Sequence, residues 1–430
     1  MIYRGPLTEK QRRDSQRNYI GYNVVNGISY TCLGDMVMVL LAVRLQLPDW
    51  CIAALNAMVF CGFILMPLGK FTTARIGAAK SQALFWVARN IAALAVASSV
   101  VWWQWDIHAI IMPLVLTGVF IFYGCRAAGV VMSVPLVGNI TTQQERGKLL
   151  GRSNFAFFAL GAVMLLVLSY VLKWNRCFLN DSIWTLFGII VFGALCGVGA
   201  SGFLNRIDET EAIRQFAAKP LWKDINGIWR NRDIMKMLLS RICTAFGCAI
   251  TIIGSMLFLK RGYGVSDSGA LLYALVMYLG NAVWAILCAR LAQRTSPRFA
   301  VVVAYAFSVL VTLLWLVAPQ KFCAPLVVLI FFLQGGTNIA KESVQALYFL
   351  QCVPEAKQTS VSVLVSLFDG AFVGILAMAI SAILLKCCDG MVTPDSPAIL
   401  KYRYYFLFTL PVLLLGFWGA KCIREFNKKS

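Results

Sequence analysis

Twelve apolar runs, each close to 20 residues long, follow one another along this chain with short polar segments between them. A run of that length crosses the ~30 Å hydrocarbon core of a bilayer as one helix. The core offers no water to backbone N–H and C=O groups, so a spanning segment must satisfy them internally, as a helix does. The runs cover roughly 19–46, 51–69, 81–103, 109–135, 151–172, 183–204, 237–259, 268–289, 299–318, 324–349, 360–385 and 403–423. Composition agrees: 60% of the residues are hydrophobic and 13% charged, against about 25% charged in a soluble chain. The expected fold is an all-α membrane protein with twelve transmembrane helices.

The formal charge of +20 raises the question of nucleic acid. The positions of the basic residues argue against it. Numbered from a cytoplasmic N-terminus, the inner segments and helix ends carry 26 Lys and Arg and the outer ones 9. That asymmetry orients a membrane protein and puts both termini inside. The first apolar run follows a basic stretch, Met1 to Asn18, and is long enough to span, so it reads as a retained helix and not a signal peptide. Fourteen cysteines fall mostly inside apolar runs without framework spacing, and there is one histidine, His108. No metal site and no cofactor are expected from such a set.

The longest polar interruption, 206–236, separates a first bundle (1–205, with a short cytoplasmic N-terminal arm) from a second (237–430). The halves look like copies. Asp49 and Ser266 open matching segments after helices one and seven, and Arg75 and Arg294 follow helices two and eight. Arg146 and Lys357 follow helices four and ten; the three pairs lie 217, 219 and 211 residues apart. Six helices repeated once keep their orientation, which makes a parallel 6+6 repeat.

With this organisation the chain resembles the major facilitator superfamily over nearly its whole length. The loop "ARIGAAK" at 74–80 keeps Arg75 and Gly77 of the family's G-x-x-x-D-R-x-G pattern but has Ala74 where the acid stands; Arg294 marks the second copy. "CRAAGVV" keeps the helix-four arginine as Arg126, without the glutamine that often follows, and "LGDMV" resembles the helix-one acid of some multidrug antiporters. Helix five lacks the antiporter G-P-x-x-G-G. The resemblance implies a transporter of two rocking bundles and does not name a subfamily.

Candidate functional residues are the polar groups inside spans, which are expensive there and face protein or water. In "FFLQGGTNIAKESVQAL", Gln334, Asn338, Lys341 and Gln345 recur on one helical face with Glu342 beside it. The stripe is either a cavity lining, as the family's helices one, four, seven and ten suggest, or helix-to-helix hydrogen bonding. Asn26 and Tyr30 share a face of helix one, and Arg89 lies in helix three. Asp35, alone among apolar and small residues in "SYTCLGDMVMVLLAV", and Asp369 are candidates for proton or ion coupling, together with Arg126. Plain ion pairs, Arg126 with Asp35 and Lys341 with Glu342 or Asp369, are the structural alternative. Arg241, near the inner edge of its run, reads as a snorkelling anchor.

These features predict a secondary active transporter of a small solute, anionic or polyhydroxyl, driven by H+ or Na+, in the plasma (inner) membrane and working as a monomer. A membrane-embedded transferase would need clustered acids, histidines or a large catalytic loop, which the sequence lacks, so an enzyme is not expected. A non-transporting receptor on the same fold is the third class.

Overall fold

A computed structural model describes residues 2–179, 182–219, 231–265, 267–392 and 397–425, with the side chains at 35, 36, 49, 50, 52, 53, 56, 57, 267, 268, 270, 271, 339, 340 and 398 left out of the description. Among the described residues, twelve helical segments are long and apolar enough to span a membrane, one for each expected run. The spans are, in order, Glu9–Arg44, Met58–Ile76, Ala78–Gln104, His108–Ile140, Arg146–Phe178 and Ile183–Asn205 in the first half. In the second half they are Arg232–Gly262, Leu272–Arg294, Pro297–Leu316, Ala324–Cys352, Glu355–Gly390 and Ile399–Lys421.

Many helices run past the apolar stretch that announces them, because polar ends can cap and solvate themselves outside the hydrocarbon. The first begins at Glu9, inside the basic arm. There Thr8 Oγ1 accepts from Gln11 N at 3.3 Å, and Gln11 Oε1 accepts from Thr8 N at 2.9 Å. This reciprocal capping box satisfies two otherwise orphaned donors. Asn231 caps the seventh span through Asp233 N and Ile234 N, and Ser296 caps the ninth with Pro297 behind it.

Several spans are interrupted. The first breaks at Leu33–Gly34, and its second part starts at Asp35. The seventh ends in a π-helical turn, Phe258–Gly262, and the eleventh contains another, Leu367–Phe372. A π turn adds a residue to the helical circuit and re-aims the side chains on it.

The chain packs as two compact units: the described parts of Met1–Leu149, Ala156–Asp224 and Glu355–Leu367, and of Leu150–Phe155, Ile225–Pro354 and Phe368–Ser430. The first unit is centred on Val96, Val100, Val119, Phe122 and Ile190. The second is centred on aromatic rings, with Trp315 stacked on Phe406 at 5.8 Å and tilted against Phe258 at 4.8 Å. Lipid supplies no hydrophobic drive between helices, so close packing and small residues must hold them. In the second unit a Cβ on Gly280 would meet Phe332 O at 2.2 Å, and one on Gly335 would meet Met277 O at 2.1 Å. The eighth and tenth spans touch backbone to backbone there. Large apolar side chains such as Val163, Leu166, Leu195, Ile383 and Leu415 remain exposed, as a lipid-facing surface requires.

Of the expected linker, 206–219 folds onto the first unit: Glu209–Thr210 pairs as a parallel strand with Ile2–Tyr3, and a short helix, Glu211–Ala218, follows. Residues 220–230 lie outside the described residues.

Candidate functional site

In the first unit a buried polar cluster forms around Arg89, eleven residues into the third span and fully buried. Its Nη2 donates to Ser29 Oγ at 3.0 Å and Asn26 Oδ1 at 3.4 Å, and Trp86 Nε1 donates to the same Asn26 oxygen at 2.9 Å. The guanidinium carbon lies 4.8 Å from the Trp86 ring and 5.3 Å from that of Phe122. A cation between aromatic faces gains from the ring quadrupoles where water is excluded. Arg89 Nε and Nη1 have no hydrogen-bond partner among the described residues. Arg126 sits over Tyr30, 4.6 Å from its ring centre. Asn26, Tyr30, Arg89 and Arg126 are therefore brought together. Asp35, the expected partner of Arg126, has its side chain outside the described residues.

The second unit holds a different arrangement. Arg241 Nε forms an ion pair with Asp369 Oδ2, and both side chains are mostly buried. This corrects the reading of Arg241 as an interfacial anchor. Its guanidinium is held inside the protein by Asp369 and does not reach out to an interface. The pair also assigns Asp369 to Arg241 and not to Lys341. Asp369 is carried on the π turn of the eleventh span, and its Oδ1 is buried with no hydrogen-bond partner among the described residues. Nearby, Gln345 Nε2 donates to Tyr305 OH, while Gln345 Oε1 is left without a described partner. Arg241, Tyr305, Gln345 and Ser240 line a narrow, water-sized cleft.

The helix-ten stripe divides. Gln334 and Asn338 line a second narrow, water-sized cleft with Thr251, Ser308 and Thr337, and Gln345 turns to Tyr305. Lys341 is half-buried and Glu342 exposed, and neither forms an ion pair among the described residues. The expected Lys341–Glu342 pair is thus absent, since adjacent residues on a helix point about 100° apart.

At the loop after the second span, Gly77 has φ +92°, and a Cβ there would lie 2.0 Å from Glu209 Oε1. Only glycine fits both demands. Glu209 is buried and its Oε2 accepts from Ala78 N at 2.9 Å and Ala79 N at 3.3 Å, capping the third span. Burial raises its pKa to about 6 despite these hydrogen bonds. Arg75 and Arg294 are exposed.

Sequence reasoning missed Tyr305, Trp86, Glu209 and the Arg241–Asp369 pairing. Tyr305 and Trp86 look like ordinary core aromatics in a linear reading. Glu209 lies in a polar segment whose docking no periodicity reports. Among the described residues no group of three His, Cys, Asp or Glu side chains is placed to hold a metal.

Each unit thus carries a polar cluster inside its spans, where charge is expensive. The family model for the Major Facilitator Superfamily matches residues 23–378. No curated protein sequence matches. Solved structures match across nearly the full length. One is a bacterial homologue of the iron transporter ferroportin (TM-score 0.71, 12% identity, 95% of this chain and 98% of that one). Another is the proton:xylose symporter XylE (0.67, 12%, 97% and 97%). A third is the human organic anion transporter MFSD10 (0.67, 13%, 95% and 99%). At such identities they speak for the fold alone. With twelve spans, this fold and a family match over most of its length, the chain belongs to the Major Facilitator Superfamily.

Proposed function

We propose that this protein is a secondary active transporter of a small anionic or polyhydroxyl solute, coupled to a proton gradient, in the plasma (inner) membrane with both termini cytoplasmic. The observation that carries the coupling is Asp369: one oxygen is held by Arg241 and the other is buried with no described partner. The making and breaking of this pair are two states that an ion arriving at the open oxygen would bias, and that bias would couple the ion to rocking of the two halves. Asp35 with Arg126 is the second candidate pair.

The solute reading rests on the cationic groups Arg89, Arg126 and Lys341 together with the amide and hydroxyl donors Asn26, Tyr30, Gln334 and Asn338, Glu342 being the only acid among these cavity candidates. Arg75, Gly77 and Arg294 belong to the cytoplasmic loops of the gate. Purified protein in proteoliposomes, loaded at pH 7.5 and diluted to pH 6, is tested with labelled organic anions and sugars. Asp369→Asn and Asp35→Asn are each expected to keep solute exchange, and the coupling residue is the one whose loss removes pH-driven accumulation. Accumulation that survives in both variants, or that follows Na+ instead of pH, overturns the proton reading. Asn338→Ala and Lys341→Ala are expected to lower uptake at near-normal expression; if both abolish folding, the tenth-span stripe is structural.

A further inference from the structure

We infer that residues 206–219 are a cytoplasmic strap, and that Lys70 is the clasp by which the strap holds the first turns of the eleventh span. The motif acid that the family resemblance leads one to expect at the loop after the second span is replaced by Ala74. The gate contacts such an acid makes must come from elsewhere or be missing.

The strap is tied at every step. Asp208 N donates to Ser15 Oγ at 3.0 Å on the first span, and Asn18 Nδ2 donates to Arg206 O at 3.2 Å. Glu209 caps the third span through Ala78 N and Ala79 N. Thr210 makes two bonds to Asn139 of the fourth span: Thr210 N to Asn139 Oδ1 at 3.0 Å, and Asn139 Nδ2 to Thr210 Oγ1 at 2.6 Å. Arg214 Nε donates to Ala74 O at 3.1 Å, on the second span. The helix Glu211–Ala218 turns Ile213 and Ala217 inward and leaves Arg214 and Gln215 exposed. A segment that merely connected two halves would not need anchors on four spans.

The fifth anchor reaches further. Lys70, on the second span, is 2% exposed. Its Nζ donates to Lys219 O at 2.6 Å, just past the end of the strap helix, and to Ser360 Oγ at 3.1 Å on the eleventh span. The carbonyl end of a helix is the favoured place for a cation, and a buried ammonium is retained where its donors are used. Residues 355–367 pack within this same compact unit, with Ser362 Oγ donating to Val131 O at 2.8 Å. The ammonium thus joins the strap to the cytoplasmic start of the eleventh span. In a rocking cycle those turns change neighbours, and the strap sets how readily they do.

The assignment is independent of the solute and of the coupling ion, so its test reads backbone protection and not transport. Hydrogen exchange is measured on the full-length protein in nanodiscs for the peptides covering 206–218 and 355–366. Lys70→Met is expected to raise exchange in both peptides roughly tenfold, the loss of one charge-assisted hydrogen bond at about 1.4 kcal/mol per decade. Lys70→Arg, which keeps the donors, should restore protection. The decisive variant is Glu209→Ala, whose caps lie on the third span: if the strap holds the eleventh span, exchange at 355–366 rises as well. Protection at 355–366 that is unchanged in Glu209→Ala while 206–218 loosens would overturn the strap, and unchanged protection in Lys70→Met would overturn the clasp. Melting midpoints of the same samples report whether either variant is globally unfolded; if Lys70→Met is, Ser360→Ala, which takes away the acceptor on the eleventh span, replaces it, and if Glu209→Ala is, Asn139→Ala, which frees the strap from the fourth span, replaces it.

Discussion

Cutting the Arg241–Asp369 pair from one side is a different perturbation from removing it whole. The two side chains are 19% and 17% exposed, so each charge keeps only a little water. Deleting one partner of a buried pair costs about 3–5 kcal/mol, because the other charge is left uncompensated. Partial exposure puts this pair at the lower end, about 3 kcal/mol. Replacing both charges with neutral groups of similar shape removes the desolvation cost together with the attraction and is expected to be nearly neutral. The cycle of Arg241→Gln, Asp369→Asn and the double variant should therefore give a coupling energy of about 6 kcal/mol, the sum of the two single costs that the double variant avoids. Melting midpoints in one detergent measure all of this. The double variant regains stability but carries no titratable group at the pair, so it should still lack pH-driven accumulation if Asp369 is the coupling residue. Single variants as stable as the double would refute the claim that the pair is desolvated.

The other expectations are simpler. Gly335→Ala drives a Cβ against Met277 O and should lower the melting midpoint by an amount equivalent to about 1–3 kcal/mol; an unchanged midpoint means that the eighth and tenth spans are not in backbone contact. Glu209 has its pKa raised to about 6 in the docked strap, so docking gains stability as pH falls through that value and loses it above. The full effect is about 2 kcal/mol for the departure from 4.5, at 1.36 kcal/mol per pH unit. The ratio of hydrogen exchange at 206–218 in the wild type to that in Glu209→Gln should therefore fall between pH 7.5 and pH 5, and a flat ratio argues against it. Cysteines placed at Gly5 and Gln320 in a cysteine-free background test the orientation: an impermeant thiol reagent applied to whole cells should label Gln320→Cys and spare Gly5→Cys.

The number of spans was legible because hydrocarbon leaves no choice: a run of twenty apolar residues has to be a helix, wherever its neighbours lie. The polar positions inside spans were legible for the same reason, since each stands out against an apolar background, and Asn26, Tyr30, Arg89 and Arg126 do cluster. Partnership was not legible. Arg241 and Asp369 are 128 residues apart, and only the crossing of the seventh and eleventh spans makes them neighbours. Without that crossing, a charge near the end of its apolar run reads as an interfacial anchor, and the partner that keeps it inside the protein is absent from the local sequence. The strap was invisible for a further reason. Its segment is polar, and its order comes from single hydrogen bonds to five distant places; such bonds leave no periodicity in the chain and exist only once the spans have assembled.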